Sequence, residues 1–276
     1  MIAKRPSSHS LSNNSNGTLN ELLELESHYC DFGFPVGHAV TTWEFLSATL
    51  PRISSSKLDL RSSKLDEVIR SFAKVFDAER NEIDTSKLLR ACRAHLELMR
   101  AGGSALCLVA KDLESNLQKV EALYKQSPKE CKTLTSLLEM ERNSNLHNGN
   151  ILQDPSAAIG LLWIRRSLSF QSHLFQSLTS SDGLSPKESA YEAYNEHLSP
   201  YHGWMLRTVF PASLSQMPHR EVFLSKFGEV DVEELDHMMV HKICKKLMAL
   251  VTTLEPLLMY WKNSFLKLNL EDERRV

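Results

Sequence analysis

Glycine and proline are scarce in this sequence, ten of each in 276 residues, and no strand-like alternation flanks the turns they form. That argues against a β-rich fold. No apolar run approaches the ~20 residues that a spanning helix needs. A formal net charge of −2 and the lack of any basic run with interleaved aromatics remove nucleic acid as an expected partner. The five cysteines, Cys30, Cys92, Cys107, Cys131 and Cys244, are odd in number, widely spaced and free of CxxC pairs. Reduced thiols in the cytoplasm, and not a disulfide scaffold, are therefore expected. Gly-rich phosphate loops, GxSxG elbows and recognisable Cys/His pairs are missing too, so the reading is of a protein that is not an enzyme and needs no cofactor. His237 and His241 have the i, i+4 spacing of helical metal ligands. With no intervening Glu and no third ligand they read as a solvated or core-edge pair, and no metal is expected.

What remains is helical. A content of 42% hydrophobic and 24% charged residues suits one large domain with a tail, or two small ones. Residues 1–20, rich in Ser and Asn and without an acid, read as a disordered tail. Residues 21–63 read as a partly helical extension, either an extra helix laid on the domain or an arm for a protein partner through residues 20–60. The main domain is expected over 64–270, with a charged tail at 271–276.

Within that domain Leu65, Val68, Ile69, Phe72 and Phe76 recur at steps of three and four, an apolar helical stripe. A second helix starts at Asp84 or Thr85 and stops at Gly102-Gly103, and a third spans about 106–125. The tetrapeptide "SPKE" occurs at Ser127 and again at Ser185. Each copy offers a Ser cap, Pro in the first helical position and Glu three residues after the cap, so each predicts a helix start. Asp154-Pro155 predicts another. Further helices are expected over 186–199, 202–216, 219–227 and 231–268, with Pro256 kinking or breaking the last. The fold class is all-α.

Three stretches are left over from packing. In "KDLESNLQK", Asp112, Asn116 and Lys119 fall on one helical stripe beside an apolar face of Leu113, Leu117, Val120 and Tyr124. In "LLWIRRSLSF", Trp163 reads most simply as a core aromatic with Arg165 and Arg166 at its rim. In "SPYHGW", an elbow between helices explains Pro200 and Gly203 but not His202 and Trp204 together.

In this order and spacing the three stretches resemble the glycolipid transfer protein family, over roughly residues 65–268. The resemblance implies a two-layer sandwich of about eight helices enclosing a lipid pocket, and non-enzymatic transfer or sensing of sphingolipid. It also implies that Asp112 accepts a hydrogen bond from the ceramide amide N–H and that His202 donates to the amide C=O. A carboxylate and a neutral imidazole N–H match a secondary amide's one donor and one acceptor. Asn116 and Lys119 would reach sugar hydroxyls, and Trp163 would stack under the first sugar ring. Relatives selective for ceramide 1-phosphate carry a base in place of the Asn and an Arg in place of the Trp, since phosphate takes charge-assisted donors. Neutral Asn116 and Trp163 thus favour a sugar headgroup, with Arg165 and Arg166 as a weaker basic rim.

The apolar pocket would include Leu113, Leu117, Val120 and Phe170. Tyr201 and Trp204 would touch the membrane transiently, making the protein a monomer peripheral to membranes. The charged end "LNLEDERRV" stands where glycolipid-binding members often carry a tyrosine. Two other readings compete: a carrier of ceramide 1-phosphate or a related phosphosphingolipid, and a lipid-regulated protein-interaction module.

Overall fold

The computed structural model describes residues 63–180 and 184–276. The expected tail of 1–20 and most of the 21–63 extension, with its partner surface, lie outside the described residues. Among these there are nine α-helices: α1 (Lys64–Phe72), α2 (Thr85–Ala101), α3 (Cys107–Gln126), α4 (Leu134–Asn143), α5 (Ala157–Thr179), α6 (Pro186–His197), α7 (Trp204–Leu214), α8 (Arg220–Gly228) and α9 (His237–Lys267). The fold is all-α, a two-layer helical sandwich built around α5, which packs on α3, α6 and α9. α1 packs on α2, α2 on α3, and α9 returns to α1.

The centrality of α5 follows from its sequence. Leu161, Leu162, Trp163, Ile164, Leu168, Phe170, Leu174 and Phe175 cover every side of the helix, and a helix apolar all round has no stable place except inside. All eight are buried. One glycine makes the closest approach. A Cβ at Gly160 would lie 2.7 Å from the backbone oxygen of Asn116, so α5 crosses α3 at near backbone contact beside the polar stripe.

Several helix starts differ from expectation. The second "SPKE" caps α6 as predicted, with Ser185 and Glu188 closing a reciprocal box. The first does not begin a helix. Ser127 ends α3, its N–H bonding the Leu123 oxygen at 3.1 Å, and the Cys131 N–H bonds back to the Ser127 oxygen at 3.0 Å. The start passes to Thr133 because Lys132 and Thr133 pair with Thr85 and Asp84, which seats Cys131 and Leu134 in the core. Likewise Ser156, not Asp154, caps α5, which leaves the Asp154 carboxylate for Lys119. Pro256 does not break α9. The helix runs from His237 to Lys267, with Pro256 buried among Leu254, Leu257 and Trp261, so packing outweighs the lost hydrogen bond. Phe76 leaves the α1 stripe for a two-residue antiparallel ladder, Phe76–Asp77 against Glu82–Ile83, which the sequence reading did not anticipate.

The buried start of α5 has a second anchor. Glu141, on α4, accepts hydrogen bonds from the Ala157 N–H at 2.7 Å and the Ala158 N–H at 2.6 Å. A carboxylate at the positive end of a helix satisfies orphan donors and complements the dipole. Glu141→Ala strands two buried N–H groups, and we expect it to lower unfolding free energy by about 2–4 kcal/mol in urea titration; Glu141→Gln should recover about half of the loss.

Candidate functional site

The polar stripe on α3 is a connected chain. The Asn116 amide Nδ2 donates to both the backbone oxygen and the carboxylate Oδ1 of Asp112, each at 3.0 Å. Its own oxygen accepts from Lys119 Nζ at 3.3 Å, and Lys119 continues to the Asp154 carboxylate at 2.7 Å. Asn116 is buried, so it orients Asp112 from behind. The wall reads acid, amide, base, acid.

Across from it stands His202, buried in an aromatic cage. Trp163 stacks on the imidazole with centroids 5.4 Å apart, Phe210 meets it edge-on at 5.5 Å, and Tyr194 lies at 5.6 Å. The Tyr194 hydroxyl is 3.3 Å from His202 Nδ1. When that hydroxyl donates, the ring carries its proton on Nε2.

Asp112, Trp163 and His202 line one cavity of about 320 Å³, together with Leu108, Val109, Lys111, Ser167, Leu198, Leu206, Val209 and Phe210. Two further recesses of about 330 and 470 Å³ carry none of the predicted site residues. Opposite pKa shifts mark the pair. Asp112 has an open flank, but burial against the cavity wall pushes its carboxyl up to about 6, with the Asn116 hydrogen bond and the Lys119 charge opposing. Burial lowers His202 to about 4, helped by the charges of Arg166 and Arg207. At neutral pH the cavity therefore offers a carboxylate acceptor and a neutral imidazole.

Other predicted residues are placed differently. Arg165 and Arg166 do not form an open rim; both are buried. Arg165 Nη2 binds the two carboxylate oxygens of Glu271 at 2.5 and 2.7 Å, and Arg166 Nη2 binds the Asp272 backbone oxygen at 2.5 Å with Glu271 3.6 Å away. The Arg166 guanidinium also sits 3.4 Å from the Tyr201 ring centroid and 5.2 Å from Trp163. Two cations taken out of water require such partners. The expected charged tail is thus a docked strap. Leu270 and Asp272 are buried, the Val276 N–H bonds the Tyr201 oxygen at 2.9 Å, and the Gly203 N–H bonds the Val276 oxygen at 2.5 Å. Gly203 is required there, since a Cβ would meet that oxygen at 2.9 Å.

Leu113, Leu117, Val120 and Phe170 are fully buried in the core and do not line the cavity. Tyr201 is half-buried against Arg166, whereas Trp204 is 79% exposed beside Met205 at 60% and Val209 at 48%. His237 and His241 stay on the exposed face of α9. Sequence reasoning missed Ser167, Tyr194, Phe210, Asp154 and Glu271. Only Ser167, one turn after Trp163, and Tyr194, on the buried face of α6, carried a periodicity signal.

The described residues contain no helix long and apolar enough to cross a membrane. A sequence model described as "Glycolipid transfer protein (GLTP)" matches residues 83–229. Glycolipid transfer protein A of Xenopus laevis is 31% identical over 191 residues, covering 66% of this chain and 88% of the relative. Glycolipid transfer protein 1 of Arabidopsis thaliana is 27% identical over 147 residues, covering 53% and 71%. Among solved structures, mouse ceramide-1-phosphate transfer protein superposes with a TM-score of 0.66 at 20% identity, covering 76% of this chain and 98% of the other. FAPP2, described as selecting simple glycosphingolipids with this fold, gives 0.65 at 23% identity, covering 78% and 100%. These two neighbours take different headgroups, so the fold alone does not choose between them.

A carboxyl whose folded pKa is raised stabilises the fold below its unfolded pKa of ~3.9 and loses that contribution as pH climbs through about 6. Asp112→Asn keeps the acceptor for Asn116 and removes the charge. Its thermal midpoint should exceed that of the parent at pH 8, with the gap closing between pH 6 and pH 4; an equal or lower midpoint at pH 8 contradicts the burial account.

Proposed function

Since the chain belongs to the glycolipid transfer protein family, we propose that it moves or senses sphingolipids between membranes, and that its ligand carries a neutral sugar headgroup. The observation behind this choice is the charge balance around the cavity. Lys119 is held by Asp154, and Arg165 and Arg166 are held by Glu271 and the Asp272 backbone. With Asp112 also ionised, no cation of this group is left unpaired, and Lys111, the cation that lines the cavity itself, is matched in number by Asp112, so a phosphate, which takes charge-assisted donors, meets a wall without net positive charge. Sugar hydroxyls pair with acceptors and donors and call for no net positive charge. The Asp112 carboxylate and the Lys119 ammonium at the two ends of the stripe supply those, held by Asn116 between them, and the indole of Trp163 supplies a flat apolar platform.

The amide linkage is read by Asp112 and His202. Asp112 accepts from the amide N–H, and His202, with its proton on Nε2, donates to the C=O. A mismatched partner leaves a buried polar group unsatisfied, at about 1–3 kcal/mol.

The acyl and sphingoid chains set the need for a carrier. With on the order of 30 methylenes at ~0.8 kcal/mol each, a free lipid in water is more than 20 kcal/mol above one in a bilayer. A protein interior removes most of that barrier. The cavity lies at the low end of the ~300–1,000 Å³ usual for small-ligand sites. Loading therefore parts α7 from α3 and draws the chains toward Leu113, Leu117, Val120 and Phe170. Trp204, Met205 and Val209 form the membrane-facing lip, with Val209 and Leu206 also lining the cavity. Tyr201 supports that lip through Arg166.

Transfer of labelled galactosylceramide between zwitterionic vesicles tests the reading. Asp112→Val and Trp163→Ala should each slow transfer at least tenfold while keeping the helical circular-dichroism spectrum. Between pH 7.5 and pH 5 parent transfer should fall about tenfold as the Asp112 carboxylate, with its pKa of about 6, protonates. Normal transfer by Asp112→Val removes the amide assignment.

A further inference from the structure

The interhelical contact between α5 and α6 carries a donor cluster that sphingolipid binding does not use. His173, on α5, and Glu196 and His197, at the end of α6, bring their ligating atoms together within 4.8 Å. His173 Nδ1 is 3.2 Å from His197 Nε2 and 3.2 Å from Glu196 Oε2, and His197 Nε2 is 3.5 Å from Glu196 Oε1. The two rings meet edge-on with centroids 5.3 Å apart. His173 and His197 are each about one quarter exposed, and the Glu196 side chain opens to solvent. The cluster is reachable from water while its imidazoles are held by packed helices.

Two features separate this arrangement from an ordinary polar contact. First, the ligating atoms converge. His173 Nδ1 and His197 Nε2 face one another, and a Glu196 carboxylate oxygen faces each of them. Second, the spacing fits. Ligands about 2.0–2.1 Å from a tetrahedral ion stand about 3.3 Å from one another; the two imidazole nitrogens are 3.2 Å apart, with one Glu196 oxygen 3.2 Å from His173 and the other 3.5 Å from His197. The last turn of a helix, where its dipole is negative, also favours a cation.

We propose that His173, Glu196 and His197 form a binding site for a zinc-type divalent transition ion, with water in the remaining position. Two imidazoles and one carboxylate select Zn²⁺, Co²⁺ or Ni²⁺ over Mg²⁺ and Ca²⁺, which take oxygen ligands. The ion would clamp the end of α6 to α5. The chain beyond that clamp passes through Leu198 to His202, both on the cavity wall, so the metal would stiffen the elbow that holds the imidazole.

Co²⁺ titration of the full chain, followed by visible absorption, reads both affinity and geometry. We expect one equivalent to bind with the intense d–d bands of tetrahedral coordination and without a thiolate charge-transfer band, and Zn²⁺ to displace it. His173→Ala and His197→Ala should each weaken binding at least tenfold while keeping the parent circular-dichroism spectrum; His241→Ala, on the separate α9 pair, should change nothing. Unchanged Co²⁺ affinity in the folded double variant His173→Ala/His197→Ala overturns the site, as does a parent dissociation constant weaker than about 1 mM. Galactosylceramide transfer by the metal-free protein does not enter either outcome, so this proposal and the lipid reading fail separately.

Discussion

Burial of α5 on every side is the constraint from which the rest of the structure follows. A 23-residue helix that is apolar all round can exist only inside, and it takes its polar groups inside with it. Its first N–H groups are met by Ser156 and, from α4, by Glu141. Its two consecutive arginines are met by Glu271 and the Asp272 backbone. Neither partner is local in sequence: Glu271 lies 106 residues from Arg165. The docked strap is thus the electrostatic consequence of an interior helix that carries charge.

That consequence sets the chemistry of the cavity. Arginines facing the headgroup would make it a phosphate receptor; arginines turned to the strap leave it near neutrality. The wall then carries one acid, Asp112, and one base, Lys111, and burial raises the Asp112 pKa to about 6. The fold is less stable for keeping this carboxylate charged, which is the usual mark of a group retained for binding. His202 is held in the complementary condition, neutral and caged by aromatics. Together they match an amide in hydrogen-bonding sense as well as in polarity.

Much of this was legible in the sequence because it is periodic. The α1 stripe as far as Phe72, the helix start at Asp84–Thr85, the Gly102 stop and the Ser185 box are local signals, and these appear where the spacing put them. Errors arose where a distant segment competed for a local one. Ser127 has every residue of a helix start, but pairing of Lys132 with Thr85 moves the start to Thr133. Asp154 lost its cap role to Ser156 and gained Lys119. Arg165 and Arg166 looked like a rim because nothing nearby opposes them, and their partner is a tail that read as solvated. The cluster of His173, Glu196 and His197 was invisible for the same reason: its members meet only when α6 folds back on α5.

The central claim is selectivity by a neutral headgroup site. Native mass spectrometry of the full chain, incubated with an equimolar mixture of glucosylceramide and ceramide 1-phosphate with identical chains, tests it most directly. The account predicts a one-to-one complex dominated by glucosylceramide, at least tenfold over the phosphate. A dominant ceramide 1-phosphate complex would contradict it.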